Sequence, residues 1–151
     1  MLFALLLSAC SVKNYEHTQT KILILKSPKI KFADVAYLRN SAKHIELELF
    51  IAGQAVKKIE INHLICIDEG CMSKRGFNEE YLSKQYPDDI LQNILLGQAI
   101  FDAKNRVQTQ DGFQQHIKNV HVDIIYRVSL HVIYFKDREN NILIKIKDTN
   151  G

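Results

Sequence analysis

The sequence predicts a mainly β domain, an antiparallel two-sheet immunoglobulin-like sandwich with a short helical insert around 78–96. Two observations carry this. Apolar residues recur at every second position along most of the chain, the period of a half-buried strand. Between residues 78 and 96 that period lapses and a helical one replaces it.

The elements follow in chain order. "KILIL" (21–25) and "KFADVAYL" (31–38) read as strands parted by a turn at Ser27-Pro28. Ile45, Leu47, Leu49 and Ile51 alternate with His44, Glu46, Glu48 and Phe50, and "AGQA" reverses the chain around Gly53. The return places Ile59, Ile61, Ile65 and Ile67 on one parity. Asn78 is expected to cap a short helix over 79–85. Pro87-Asp88-Asp89 opens a second helix, with acidic residues at its positive end. Ile90, Leu91, Ile94 and Leu95 form its buried stripe, and Gly97 stops it. A short strand over 98–103 follows.

"VHVDIIYRVSLHVIY" (120–134) is the clearest strand pattern. Val120, Val122, Ile124, Tyr126, Val128, Leu130, Val132 and Tyr134 share one parity, with Ile125 and Ile133 as exceptions on the other. The run is long for one strand, so a bend or a switch between sheets is expected near Arg127 to Ser129. "RENN" (138–141) then supplies a turn before Ile142, Ile144 and Ile146, completing a carboxy-terminal hairpin.

The amino terminus, "MLFALLLSACS", is unlike the rest. Its apolar run Leu2–Leu7 is far short of the about 20 residues that span a bilayer. A short apolar segment followed by small residues reads as a secretory signal. Leu7-Ser8-Ala9-Cys10 resembles the lipobox of bacterial lipoproteins, in which small residues precede an obligatory cysteine. The resemblance implies cleavage before Cys10, a diacylglycerol on its thiol and an acyl chain on its new amino group. It also implies that Ser11, where an aspartate would favour retention in the inner membrane, directs the protein to the outer membrane. One acyl chain binds membranes marginally, at about 0.8 kcal/mol per buried CH2, and two or more anchor durably. The expected organisation is a signal peptide over 1–9, a lipidated cysteine and polar tether over 10–20, and a β-sandwich domain over 21–151.

Apolar residues make up 46% and charged residues 25%, which places the body among ordinary globular chains. A net charge of +3 is too mild to propose nucleic acid as a partner and would suit weak contact with anionic headgroups. With the lipobox, a small basic domain and an immunoglobulin-like set of strands, the chain resembles the small outer-membrane lipoproteins of epsilonproteobacteria. That resemblance implies a sandwich and an envelope location, and it carries over no catalytic residue.

Chemistry is sparse. Cys66 and Cys71 flank a turn in "CIDEGC", a natural spacing for a disulfide-closed loop in an oxidising compartment. Free thiols are one competing reading. A metal site with His63 is another, but structural zinc wants four ligands and no neighbouring histidine or cysteine completes the set. His63 shares the parity of the apolar face, so a hydrogen-bonded core histidine also explains it. His121 and His131 would stand about 34 Å apart on a straight strand and cannot share an ion unless the chain folds back. Asp123 is placed to pair with His121, as a solvated sheet face would also have it. No Gly-x-Ser-x-Gly elbow, HExxH or phosphate loop occurs, and no cofactor is implied.

The segment 72–89 is the best candidate for partner contact, through Lys74, Arg75, Phe77, Tyr81, Lys84 and Tyr86. The structural reading, in which Phe77, Tyr81 and Leu82 simply dock the helix onto the body, is the stronger of the two. The function expected is a non-enzymatic, membrane-anchored lipoprotein acting by binding or assembly at the cell envelope. Adhesion or host contact is one form of this and a periplasm-facing structural subunit another, with a small exported hydrolase as the third reading.

Overall fold

The computed structural model describes residues 15–68 and 70–150 of the 151-residue chain. The signal segment and Cys10 lie outside the described residues. The first strand, β1, covers His17–Lys26 and so begins inside the stretch read as tether. It is followed by β2 (Lys31–Asn40), β3 (Ile45–Ile51), β4 (Gln54–Ile61), β5 (Leu64–Ile67) and β6 (Gly70–Ser73). Two short helices come next, α1 (Lys74–Tyr81) and α2 (Ile90–Leu95). The chain then forms β7 (Val107–Gln108), β8 (Phe113–Lys118), β9 (Asp123–Val128), β10 (Val132–Asp137) and β11 (Ile142–Asp148).

The fold is mainly β and antiparallel, as expected, but the two-sheet sandwich does not form. Among the described residues all strands hydrogen-bond in one eleven-stranded sheet, ordered β6-β5-β4-β3-β2-β1-β11-β10-β9-β8-β7. The chain starts at the centre, winds outward to β6, crosses to the far edge at β7 and winds back until β11 pairs with β1. That crossing has to traverse a face of the sheet, and the helical segment is the crossing. Its stripe of Ile90, Leu91, Ile94 and Leu95 is buried. It joins Leu23, Leu25, Tyr126, Phe135, Ile144 and other sheet residues in one apolar cluster. Helices therefore take the place of the second sheet, burying the sheet's apolar face as that layer would have done.

The run 120–134 shows why sequence parity misled. The chain neither bends nor changes sheets near Arg127. It reverses completely, so that Ile133 stands opposite Val128 and Phe135 opposite Tyr126. The buried parity flips across the turn, from Ile124 and Tyr126 to Ile133 and Phe135. Ile133, an exception to the alternation, belongs to the core face, whereas Leu130 sits at the turn and is 71% exposed.

Other expectations resolve locally. The turn at Gly53 forms as expected, with Ala52 and Gly53 both at positive φ (51° and 79°), the conformation a two-residue hairpin loop requires. The Ile59–Ile67 return is itself a hairpin, Ile61 facing Ile65, with Asn62 Oδ1 accepting from the Leu64 amide at 2.8 Å in the turn. Asn78 caps nothing. The β5–β6 hairpin delivers Ser73 to the start of α1, where its Oγ accepts from the Gly76 amide at 2.9 Å. Asn78 is buried inside that helix and donates to the Pro87 carbonyl at 2.9 Å, tying α1 to the approach of α2.

The strand expected over 98–103 is replaced by a left-handed turn. Phe101, Asp102 and Ala103 have φ of 48°, 52° and 59°, which L-residues resist. Buried Gln115 holds the flanks of this turn. It accepts from the Ile100 amide at 2.9 Å and donates to the carbonyls of Ile100 and Lys104 at 2.8 and 2.7 Å.

Candidate functional site

Strand register places polar residues at one end of the apolar face. Across β1 and β2, His17 stands opposite Asn40 and Gln19 opposite Leu38. Across β1 and β11, Lys21 stands opposite Asp148. In β1 these residues continue the parity of Leu23 and Leu25, so they face the side that carries the helical segment. They border a cleft of about 390 Å³ between the sheet and the end of α2. Its apolar walls are Leu38, Val128, Ile133 and Ile146 from the sheet, with Leu95 and Leu96 from the crossing segment. Its polar rim includes the exposed His17, Gln19 and His131, with half-buried Asn40. Gly97 (φ 65°) turns the crossing segment away at this point. A side chain there would meet Ile133 and Val128 at 3.3 Å, so the backbone passes close over the sheet.

The charged group of the cleft is compact. Asp148 pairs with Lys21 through Oδ1 and with His131 Nδ1 through Oδ2 at 2.9 Å. The Asp148 amide also donates to the His131 carbonyl at 3.1 Å, which fixes the turn against β11. Lys21, then His131, hold the Asp148 carboxyl below its ordinary value. Ser129 also borders the cleft, but its hydroxyl donates to the Val132 carbonyl at 3.0 Å. Lys21 and Asp148 thus offset one another. What remains for a ligand is a rim of hydrogen-bonding groups around an apolar floor, in a volume typical of binding clefts.

The structure separates the residues expected to contact a partner. Phe77 is core, and its ring lies 5.0 Å from that of Tyr81, which packs partly buried on the same cluster. Tyr86 is also core. Its hydroxyl donates to buried Asp137 at 2.7 Å, and its ring meets Phe135 edge-on at 5.8 Å. The binding role expected of Phe77 and Tyr86 is therefore corrected: Phe77, on the inner side of α1, and Tyr86, in the loop between the two helices, both turn inward and dock the crossing segment. Lys74 donates to Gln92 Oε1 at 2.6 Å. Arg75 stands 3.5 Å from Asp88 with both side chains exposed, a pairing of little energetic weight. Lys84 is exposed. Arg75 and Lys84 are the two of the six that solvent fully reaches.

Cys66 and Cys71 are bonded. They face each other across β5 and β6 with Cα atoms 3.9 Å apart, so the disulfide closes a hairpin at the sheet edge. His63 is exposed in the β4–β5 turn, not a core histidine. Among the described residues, no group of three His, Cys, Asp or Glu side chains could hold a metal ion. Asp123 pairs with His116 at 3.3 Å and with Arg138 at 3.1 Å, not with His121. Among the described residues, no helix is long and apolar enough to cross a membrane.

Sequence reasoning missed His17, Gln19, Lys21, Asn40 and Asp148 as a group. They are far apart in the chain and meet only through the β2–β1–β11 register, which local periodicity does not encode. His131 gave no separate signal, since it stands on the regular polar parity of the 120–134 run. No protein family, curated protein or solved structure matches the chain.

Proposed function

We propose that this chain is a lipoprotein anchored in the outer membrane through Cys10, and that its sheet domain acts by binding a protein partner at the cell envelope. The observation that carries the binding reading is the cleft at the β2–β1–β11 centre. It joins an apolar floor to a rim of hydrogen-bonding side chains and is large enough for a few side chains of a partner. The Cys66–Cys71 bond supports an oxidising compartment, where such bonds persist. The anchor rests on the Leu7-Ser8-Ala9-Cys10 sequence. The domain works without catalysis in this reading, as an adhesive or host-contacting module or as a periplasm-facing subunit of an envelope complex.

Two experiments test it. Cys10→Ala should abolish lipid labelling and release the domain from membranes. If parent and variant fractionate alike without acylation in either, the anchor is wrong. For the cleft, a photo-crosslinking residue at Gln19 should yield a protein adduct in cells. The same probe at Lys84, on the crossing segment, should not. Adducts at Lys84 alone would return partner contact to the 72–89 segment. Protease treatment of intact cells then separates a surface module, which is lost, from a periplasmic subunit, which survives.

A further inference from the structure

We propose that the outer face of the sheet, opposite the helical segment, docks on the anionic phospholipid headgroups of a bilayer. The two halves of that face are built differently. Among Arg39 of β2, Glu46 and Glu48 of β3 and Lys58 of β4 the charges close on themselves: Arg39 pairs with Glu46 and Glu48 at 3.0 and 2.7 Å, and Lys58 with Glu46 at 3.1 Å, while Lys31, opposite Lys26 at the other end of β2, is exposed and outside this group. From β1 through β11 and β10 to β9 the same face carries Lys26, Arg127, Lys136, Lys145 and Lys147. None of these is in an ion pair among the described residues. The parity is unambiguous, since each of these side chains alternates with core residues such as Leu25, Tyr126, Phe135, Ile144 and Ile146. The acidic residue of this region's outer face, Asp123, is already committed to Arg138, His116 and Lys118.

Between the cations lie apolar side chains. Ile22 stands opposite Lys147, Ile24 and Tyr134 opposite Lys145, and Leu143 opposite Lys26 and Lys136. Ile22 is 39% exposed. An unpaired basic face interleaved with apolar groups is the chemistry of an interfacial surface, where lysine heads meet phosphates and aliphatic groups settle among the headgroups. A closed protein interface would deplete lysine instead.

The chain's entry favours the same side. Tyr15 donates to Glu46 Oε2 at 2.7 Å, and Glu46 has the outer parity of β3, so the first described residue sits on the outer face. Cys10 is separated from Tyr15 by a span of at most about 18 Å when extended. This second argument rests on the anchor proposed above; the charge pattern does not.

The test uses the full chain carrying Cys10→Ser, so that no acyl chain contributes, with vesicles of phosphatidylcholine alone or mixed with phosphatidylglycerol. Co-sedimentation should favour the anionic vesicles and weaken as salt rises. Each basic side chain near such a surface raises binding about fivefold, so Lys136→Gln with Lys147→Gln should lower it about 30-fold. Lys84→Gln with Lys104→Gln, which removes the same charge elsewhere, should change it by less than about threefold. Equal losses from both pairs would reduce the effect to net charge and overturn the proposal, and so would a parent that does not prefer anionic vesicles. Circular dichroism confirms that each variant is folded. Failure of Cys10 acylation in cells would leave these measurements untouched and would count only against the anchor.

Discussion

Tyr86→Phe isolates one bond between the crossing segment and the sheet. The hydroxyl donates to Asp137 Oδ2 at 2.7 Å, from a residue 51 positions earlier in the chain. Asp137 is fully buried and keeps its other donors in the variant. Oδ1 accepts from the amides of Asp123, Glu139 and Asn140, and Oδ2 also accepts from Asn140 Nδ2 at 2.6 Å. Phenylalanine preserves the ring's contacts with Phe101 and Phe135, at 6.4 and 5.8 Å. The loss is therefore one hydrogen bond to a charged acceptor, about 1.5–3 kcal/mol. Burial first, and then the Asp137 carboxylate, push ionisation of Tyr86 far above its ordinary range, so the hydroxyl remains a donor through alkaline conditions. Urea unfolding followed by circular dichroism should show a lower midpoint at unchanged slope. In an Asp137→Asn background, Tyr86→Phe should cost less. A loss below about 0.5 kcal/mol would refute the structural role given to this bond.

Three further outcomes are expected. Gln115→Leu removes the bonds to Ile100 and Lys104 and should destabilise by about 2–4 kcal/mol, with faster hydrogen exchange at the Ile100 amide; protection equal to the parent's would mean the turn holds itself. Cys66→Ser with Cys71→Ser should cost about 2 kcal/mol or less, and the untreated parent should show no reactive thiol at either position by alkylation and mass spectrometry. Because Asp148 is held below its unfolded value of 3.8, chiefly by Lys21 and then by His131, its pairing stabilises the fold above that pH and is lost as pH falls through the lower folded value. The stability gap between parent and Asp148→Asn should accordingly be flat near neutrality and close in acid, and a gap independent of pH down to full acid unfolding would contradict the pairing.

How much of this could be read beforehand depended on whether the deciding contacts were local. The Gly53 turn, the Ile142–Ile146 strand and the buried stripe of α2 follow from neighbours in sequence, and they stand where periodicity put them. The disulfide followed from spacing in a chain read as exported. The single sheet did not, because a strand's alternation is the same whether a second sheet or a helix covers it. The hairpin at Ser129–His131 left one trace, Ile133 on the supposedly polar parity, and reading it required knowing that the register reverses there. The left-handed turn at Phe101–Ala103 left none. Its support comes from Gln115, whose need for a buried partner is invisible until β8 is in place. The cleft is the extreme case, since its residues converge only when both ends of the domain have met.

That meeting has a consequence for how the domain assembles. Each meander, β1 to β6 and β7 to β11, pairs strands that are neighbours in sequence and can form from short-range contacts. The seam between them is of another kind: Lys21 and Asp148, its ion-paired couple, lie 127 positions apart. Closing so long a loop is slow relative to forming hairpins. A chain emerging amino-end first would hold β1 as an unpaired edge until β11 arrives, a template for pairing with another copy. The domain would then depend on its last strand for solubility during synthesis, more than on any residue of its finished surface. Joining the two ends by a short linker and opening the chain within the crossing segment would convert that seam into a hairpin, and it should speed folding without altering the native sheet.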